Sequence, residues 1–141
     1  MSKKQAPIKI RLRGPLRKPA IAEGCLDLDA LTTLSGQQQT HRELIKTLKN
    51  ALGGADAALA RKFEAGEDVN RLVKARAWVV DQLILHAWNA LIPSGENVSL
   101  VAVGGFGRGE LHPHSDVDLL ILLAESPPTE ELRGAIEAFV T

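Results

Sequence analysis

The chain has 141 residues, 45% of them hydrophobic, which suits one ordinary domain with its own core. Seventeen basic and 17 acidic residues cancel to a formal net charge of zero, so no global charge points to nucleic acid or to an anionic membrane. No run approaches the roughly 20 apolar residues of a membrane span, no h-region follows the basic N-terminus, and the single cysteine, Cys25, excludes an internal disulfide framework. The default location is the cytoplasm.

In chain order, residues 1–36 read as a flexible basic arm. Lys3, Lys4, Lys9, Arg11, Arg13, Arg17 and Lys18 stand there before any acid, and Pro and Gly interrupt each short apolar cluster. Such a segment is a solvated tail rather than a phosphate-touching arm. A helical segment follows over residues 37–95. Thr40 and Glu43 have the spacing of a capping box, which starts a helix over residues 40–52 that Gly53-Gly54 would end. Residues 55–65 are Ala-rich and form a second helix. Residues 68–91 carry the strongest helical pattern. Val69, Leu72, Val73, Val80, Leu83, Ile84, Ala87 and Leu91 share one face, and Trp78, Val79 and Trp88 widen it, so this helix packs on two sides.

Residues 96–141 read as strand, loop, strand, helix. Residues 98–103 are a short apolar strand, and residues 106–115 are polar and Gly-rich with room for one helical turn. Residues 117–123 are a near-continuous apolar run, as in a strand covered on both faces. Ser126, as N-cap with Pro127 behind it, opens a last helix that places Leu132, Ile136 and Phe139 on one face. The fold class is α+β.

The chemistry lies between residues 101 and 123. Asp116 and Asp118 precede the apolar run. If the strand begins at them, side-chain alternation points both carboxylates one way and Val117 into the core. Two hard oxygen ligands suit Mg²⁺ arriving with phosphates. Other readings fit less well. G-x-G-x-x-G from Gly105 meets Glu110, and from Gly107 meets His112; no G-K-[ST] follows either. His112-x-His114-x-Asp116 opens a zinc signature, but Val117 stands where its next histidine belongs, and His41 and His86 lie in helices. A turn acid and a solvated edge residue would be the structural alternative; acids flanking Val117 before a buried run are awkward for it.

Val103-Gly104-Gly105, ten residues, then Asp116-Val117-Asp118-Leu119 resembles the hG[GS]…Dh[DE]h signature of the polymerase-β-like nucleotidyltransferases. Glycines let the backbone approach a triphosphate, and the helical turn after them can direct N–H groups at phosphate. The longer string GGFGRGELHPHSDVDLLIL, with Arg76 and Asp81-Gln82-Leu83 upstream, resembles the nucleotidyltransferase domain of the bifunctional uridylyltransferase/uridylyl-removing (GlnD) family. The adenylyltransferases of glutamine synthetase share the superfamily pattern and are the nearest alternative.

The resemblance implies transfer of UMP from UTP to a tyrosine hydroxyl of the nitrogen regulatory protein PII. It also implies removal of that UMP, with glutamine as effector. It implies that Asp116 and Asp118 are catalytic and bind Mg²⁺, that Gly104 and Gly105 lie against the nucleotide, and that Ser115 donates to a phosphate. Arg108 would either neutralise phosphate charge or cap the loop. Residues 96–141 would then be a partial nucleotidyltransferase core. The family's third carboxylate belongs on a later strand, and the later acids, Glu125, Glu130, Glu131 and Glu137, fall at a strand exit or in the last helix. The expectation is a fragment, inactive alone in transfer and removal, or else a non-catalytic remnant that keeps a nucleotide–metal site.

Overall fold

The computed structural model describes residues 15–35, 37–124 and 126–141. The fold is α+β: the described residues form five helices, a short 3-10 turn at Ala20–Ala22 and a two-stranded antiparallel sheet. The helices are α1 (Leu28–Ser35), α2 (His41–Glu64), α3 (Val69–Leu91), α4 (Gly104–Gly107) and α5 (Glu130–Val140), and the strands are β1 (Val98–Ala102) and β2 (Leu119–Leu123). No helix among the described residues is long and apolar enough to cross a membrane.

Residues 1–14 of the expected arm lie outside the described residues, as does Glu125 among the later acids. Residues 15–35 of that arm are structured, which corrects the expectation. Ile21, Ala22, Cys25 and Leu31 are buried in the main core with Trp78 and Val79 of α3. The apolar residues of this stretch are interrupted by Pro15, Pro19 and Gly24. They gain their burial from a distant helix, which no local periodicity announces.

The capping box forms at Thr40: its hydroxyl accepts from the Glu43 N–H (3.2 Å), and the Glu43 carboxylate accepts from the Thr40 N–H (2.8 Å). The Thr40 N–H first, and then the Thr40 hydroxyl, which donates to the same carboxylate at 3.0 Å, hold the Glu43 carboxyl below its ordinary pKa. The helix they start does not stop at Gly53-Gly54. It runs on to Glu64 as one element, and a Cβ at either glycine would meet nothing within 4 Å. Two interior glycines cost about 1 kcal/mol each relative to alanine. Leu44, Ala55 and Leu59 are buried on either side of them, and that packing outweighs the local penalty.

Gly66, at φ 92°, then turns the chain after Ala65, and the Asp68 carboxylate caps α3 by accepting from Arg71 N–H at 3.1 Å. α3 matches its expected span and does pack on two sides. Leu72, Ala75, Trp78, Val79 and Leu83 join the core shared with α2 and the N-terminal turn. Ala77 and Val80 join a second cluster with Phe106 and Leu111, against which Ile84 and Leu119 pack.

β1 and β2 pair from Val98↔Leu123 to Ala102↔Leu119. β2 is not covered on both faces: Leu120 is 47% exposed and Leu123 38%. Its inner side meets the second cluster through Leu119, and no described element packs over Leu120. The last helix begins later than expected. Thr129, not Ser126, is the N-cap of α5, because its hydroxyl reaches the Leu132 N–H at 3.1 Å. Leu132 is buried, and the Phe139 ring meets Trp88 edge-on at 5.2 Å, which fixes α5 to α3.

Candidate functional site

The site is built where β1 ends and β2 begins. β1 gives way at Val103 to the single turn of α4, and no side chain caps that turn. Its glycines allow tight backbone approach. A Cβ on Gly107 would stand 2.7 Å from the Ala102 carbonyl oxygen, so only a glycine lets the turn fold back on the strand it leaves. A Cβ on Gly105 would stand 3.3 Å from the Glu110 carbonyl oxygen; Glu110 N–H in turn donates to the Gly105 carbonyl at 3.0 Å.

Gly104 and Asp118 are brought together. Gly104 has φ 62°, a left-handed conformation that favours glycine, and a Cβ there would lie 2.9 Å from Asp118 Oδ2. The backbones lock in the same place, since Val103 N–H donates to the Asp118 carbonyl oxygen at 3.0 Å, one step beyond the Ala102↔Leu119 pair. The ladder therefore sets the register of the glycine pair against the acid.

Asp116 and Asp118 do not lie within the strand, so the expected alternation does not apply to them. β2 starts at Leu119, and Val117 is 36% exposed rather than in the core. Residues 116–118 are irregular because the Val103 bond to Asp118 is the last rung, and the chain before it turns away toward His112. Both aspartates are exposed, as is Ser115, whose N–H donates to the His112 carbonyl at 3.1 Å. Arg108 is the C-cap of α4 and is exposed, with Nη2 3.7 Å from where a Gly105 Cβ would be.

Among the described residues no group of three or more His, Cys, Asp or Glu could hold a metal ion. Asp116 and Asp118 are thus without a third ligand of these types among the described residues. The Asp118 carboxylate lies beside the glycine cradle and Asp116 stands two residues before it; exposed carboxylates of this kind suit a hard cation that takes its remaining oxygens from phosphate and water. That cradle is a feature of this fold: at Gly104 a side chain would occupy the space now filled by the Asp118 carboxylate.

Two contributions escape the motif. Gly107 is one; its signal is the further glycine in Gly104-Gly105-Phe106-Gly107. The other is Arg76, which stands between the buried Ala75 and Ala77 and is held by Asp56 of α2. A cation in the middle of an apolar helical stretch was the available signal. Asp81, also on α3, accepts from Leu16 N–H at 3.1 Å and lines a cavity of about 580 Å³ between α3 and the sheet, together with Phe106 and Arg108. Burial pushes its carboxyl up, against the Leu16 and Gln82 hydrogen bonds that pull it down.

Residues 82–140 match the nucleotidyltransferase domain family. The curated bifunctional uridylyltransferase/uridylyl-removing enzyme of Pseudomonas putida is 49% identical over 98 residues, which are 69% of this chain and 11% of that protein. The proteins of the same name from Stutzerimonas stutzeri and Azotobacter vinelandii are 49% and 47% identical over the same shares. The chain thus aligns with about one ninth of the length of these relatives. No solved structure matches it. The chain therefore carries a nucleotidyltransferase domain and is a homologue of a segment of the bifunctional uridylyltransferase/uridylyl-removing enzymes.

Proposed function

We propose that this chain supplies the nucleotide- and cation-binding part of a uridylyltransferase that moves UMP from UTP to a tyrosine hydroxyl of a PII signalling protein, with glutamine as effector of the whole enzyme. The observation that carries the reading is the fit of Gly104 to the Asp118 carboxylate, which puts the glycine turn and the acid in one place. The identity to proteins named for uridylyl transfer supports UTP over ATP as the donor. The nucleotidyltransferase match supports transfer rather than removal as the work of this segment. The cytoplasm, which holds UTP, is its place.

In the transfer, the tyrosine oxygen bonds to the α-phosphorus of UTP and gives up its proton. The bond from that phosphorus to the bridging oxygen breaks, and pyrophosphate leaves. Asp116 and Asp118 would hold Mg²⁺, which supplies charge neutralisation for the triphosphate and the developing negative charge. Gly104 and Gly105 keep side chains away from the phosphates, Ser115 offers a hydroxyl donor to them, and Arg108 offers a guanidinium at the rim. Asp118 is presented to this work by the Val103 rung, and Asp116 by the turn that begins at His112.

The test is incorporation of label from α-³²P-UTP into a PII protein by the protein that contains this chain. Asp116→Asn is expected to abolish incorporation while leaving helicity intact. Retained incorporation would reject Asp116 as a ligand, and labelling from ATP in preference to UTP would reject the donor.

A further inference from the structure

Arg76 sits on α3, away from the glycine turn in sequence, yet its side chain ends on the loop that leads to the carboxylates. Only 13% of that side chain is exposed. Nε donates to Asp56 Oδ1 at 2.9 Å and Nη2 to Asp56 Oδ2 at 3.3 Å, a two-pronged pair across α2 and α3. The guanidinium is planar, so holding two of its nitrogens fixes the direction of the third. That third nitrogen, Nη1, donates to the His112 carbonyl oxygen at 3.3 Å.

The same carbonyl accepts the Ser115 N–H, and so closes the turn through Pro113 and His114 that delivers Ser115 and Asp116. One residue earlier, Leu111 N–H donates to the Val73 carbonyl of α3 at 3.1 Å, and the Leu111 side chain is 1% exposed. Residues 111 and 112 are thus pinned to one turn of α3, the first through its N–H and the second through its carbonyl. Beyond them the chain has left-handed backbone at His114 (φ 63°) and exposed side chains through Asp118. Fixation of that stretch comes from its two ends: the His112 hub and the Val103 rung.

We infer that Arg76, oriented by Asp56, is a positioning residue for the carboxylate pair: it sets the placement of Asp116 through the His112 carbonyl. The inference rests on the proposal that Asp116 and Asp118 hold a divalent cation. A role confined to joining α2 and α3 would lower stability and leave cation affinity of the folded protein unchanged.

The test is Mn²⁺ binding to the full chain, read from the free-ion signal in electron paramagnetic resonance well below the melting temperature. Arg76→Gln is expected to weaken binding by about 10-fold, the usual scale for groups that orient metal ligands. Asp116→Asn tests the underlying site: wild-type binding by that variant would overturn the cation reading itself. If Asp116→Asn loses binding and folded Arg76→Gln keeps wild-type affinity, the positioning role is overturned. Should Arg76→Gln fail to fold, Asp56→Asn decides. Asn at this half-exposed position keeps one oxygen to accept from the guanidinium and removes the second prong that orients it. Weakened Mn²⁺ binding by folded Asp56→Asn then supports the role, and unchanged binding overturns it.

Discussion

Replacing Gly104 by alanine separates two consequences of one methyl group. Gly104 has φ 62°, and a non-glycine residue in that left-handed region costs about 1–2 kcal/mol. The added Cβ would also stand 2.9 Å from Asp118 Oδ2. The Asp118 carboxylate is exposed and can rotate away, so the contact adds little to the stability loss. Its effect falls instead on where the carboxylate points. Gly104→Ala is therefore expected to lower the melting temperature by about 3–8 °C for a chain of this size, measured by circular dichroism. It is also expected to weaken Mn²⁺ binding. In an Asp118→Ala background the same methyl should still cost about 1–2 kcal/mol, because the backbone penalty does not depend on the acid. Unchanged stability in both backgrounds would refute the left-handed assignment. A lowered melting temperature with wild-type Mn²⁺ affinity would refute the contact between Gly104 and Asp118.

Further predictions concern stability and pH. Gly53→Ala and Gly54→Ala should each raise unfolding stability by about 0.5–1 kcal/mol in urea titrations, since both lie inside α2 with open space around the added Cβ. A loss in both would show that α2 is broken there. Burial raises the Asp81 carboxyl above its ordinary value of 3.8, so the folded protein holds that proton more tightly than the unfolded chain. The resulting stability is full below pH 3.8 and is lost as pH rises through the raised folded value. Asp81→Asn keeps an acceptor for Leu16 N–H and removes the ionisation, so its stability should fall less than the wild type's between pH 3.8 and neutrality. Parallel melting curves across that window would refute the assignment. The Asp116→Asn transfer assay and the Arg76→Gln binding assay complete the set.

Much of the fold was legible where the interaction is local. Thr40 and Glu43 are three residues apart, and both halves of their capping box form. The apolar spacing of residues 68–91 located α3 and its two packed sides, because helical periodicity reports burial directly. The end of β1 was marked by the Gly104-Gly105 pair, although the helical turn expected within residues 106–115 forms over Gly104–Gly107 instead. Local signals misled where a distant partner decided. Gly53-Gly54 read as a helix end, but α3 packs along both halves of α2 and holds it continuous. Ile21 and Leu31 read as part of an arm until Trp78 and Val79 covered them.

The candidate site divides in the same way. The amino-acid sequence by itself determined the candidate residues: glycines that tolerate close approach, and aspartates that offer hard oxygens beside an apolar run. Their types and spacing are properties of the chain alone. Only the tertiary structure decided how they meet. Antiparallel pairing, with the Val103 bond to Asp118 as its last rung, seats that carboxylate over Gly104, and Arg76 reaches from α3 to the His112 carbonyl. Those contacts join residues 14, 15 and 36 positions apart, and they exist because two strands and two helices pack in one register.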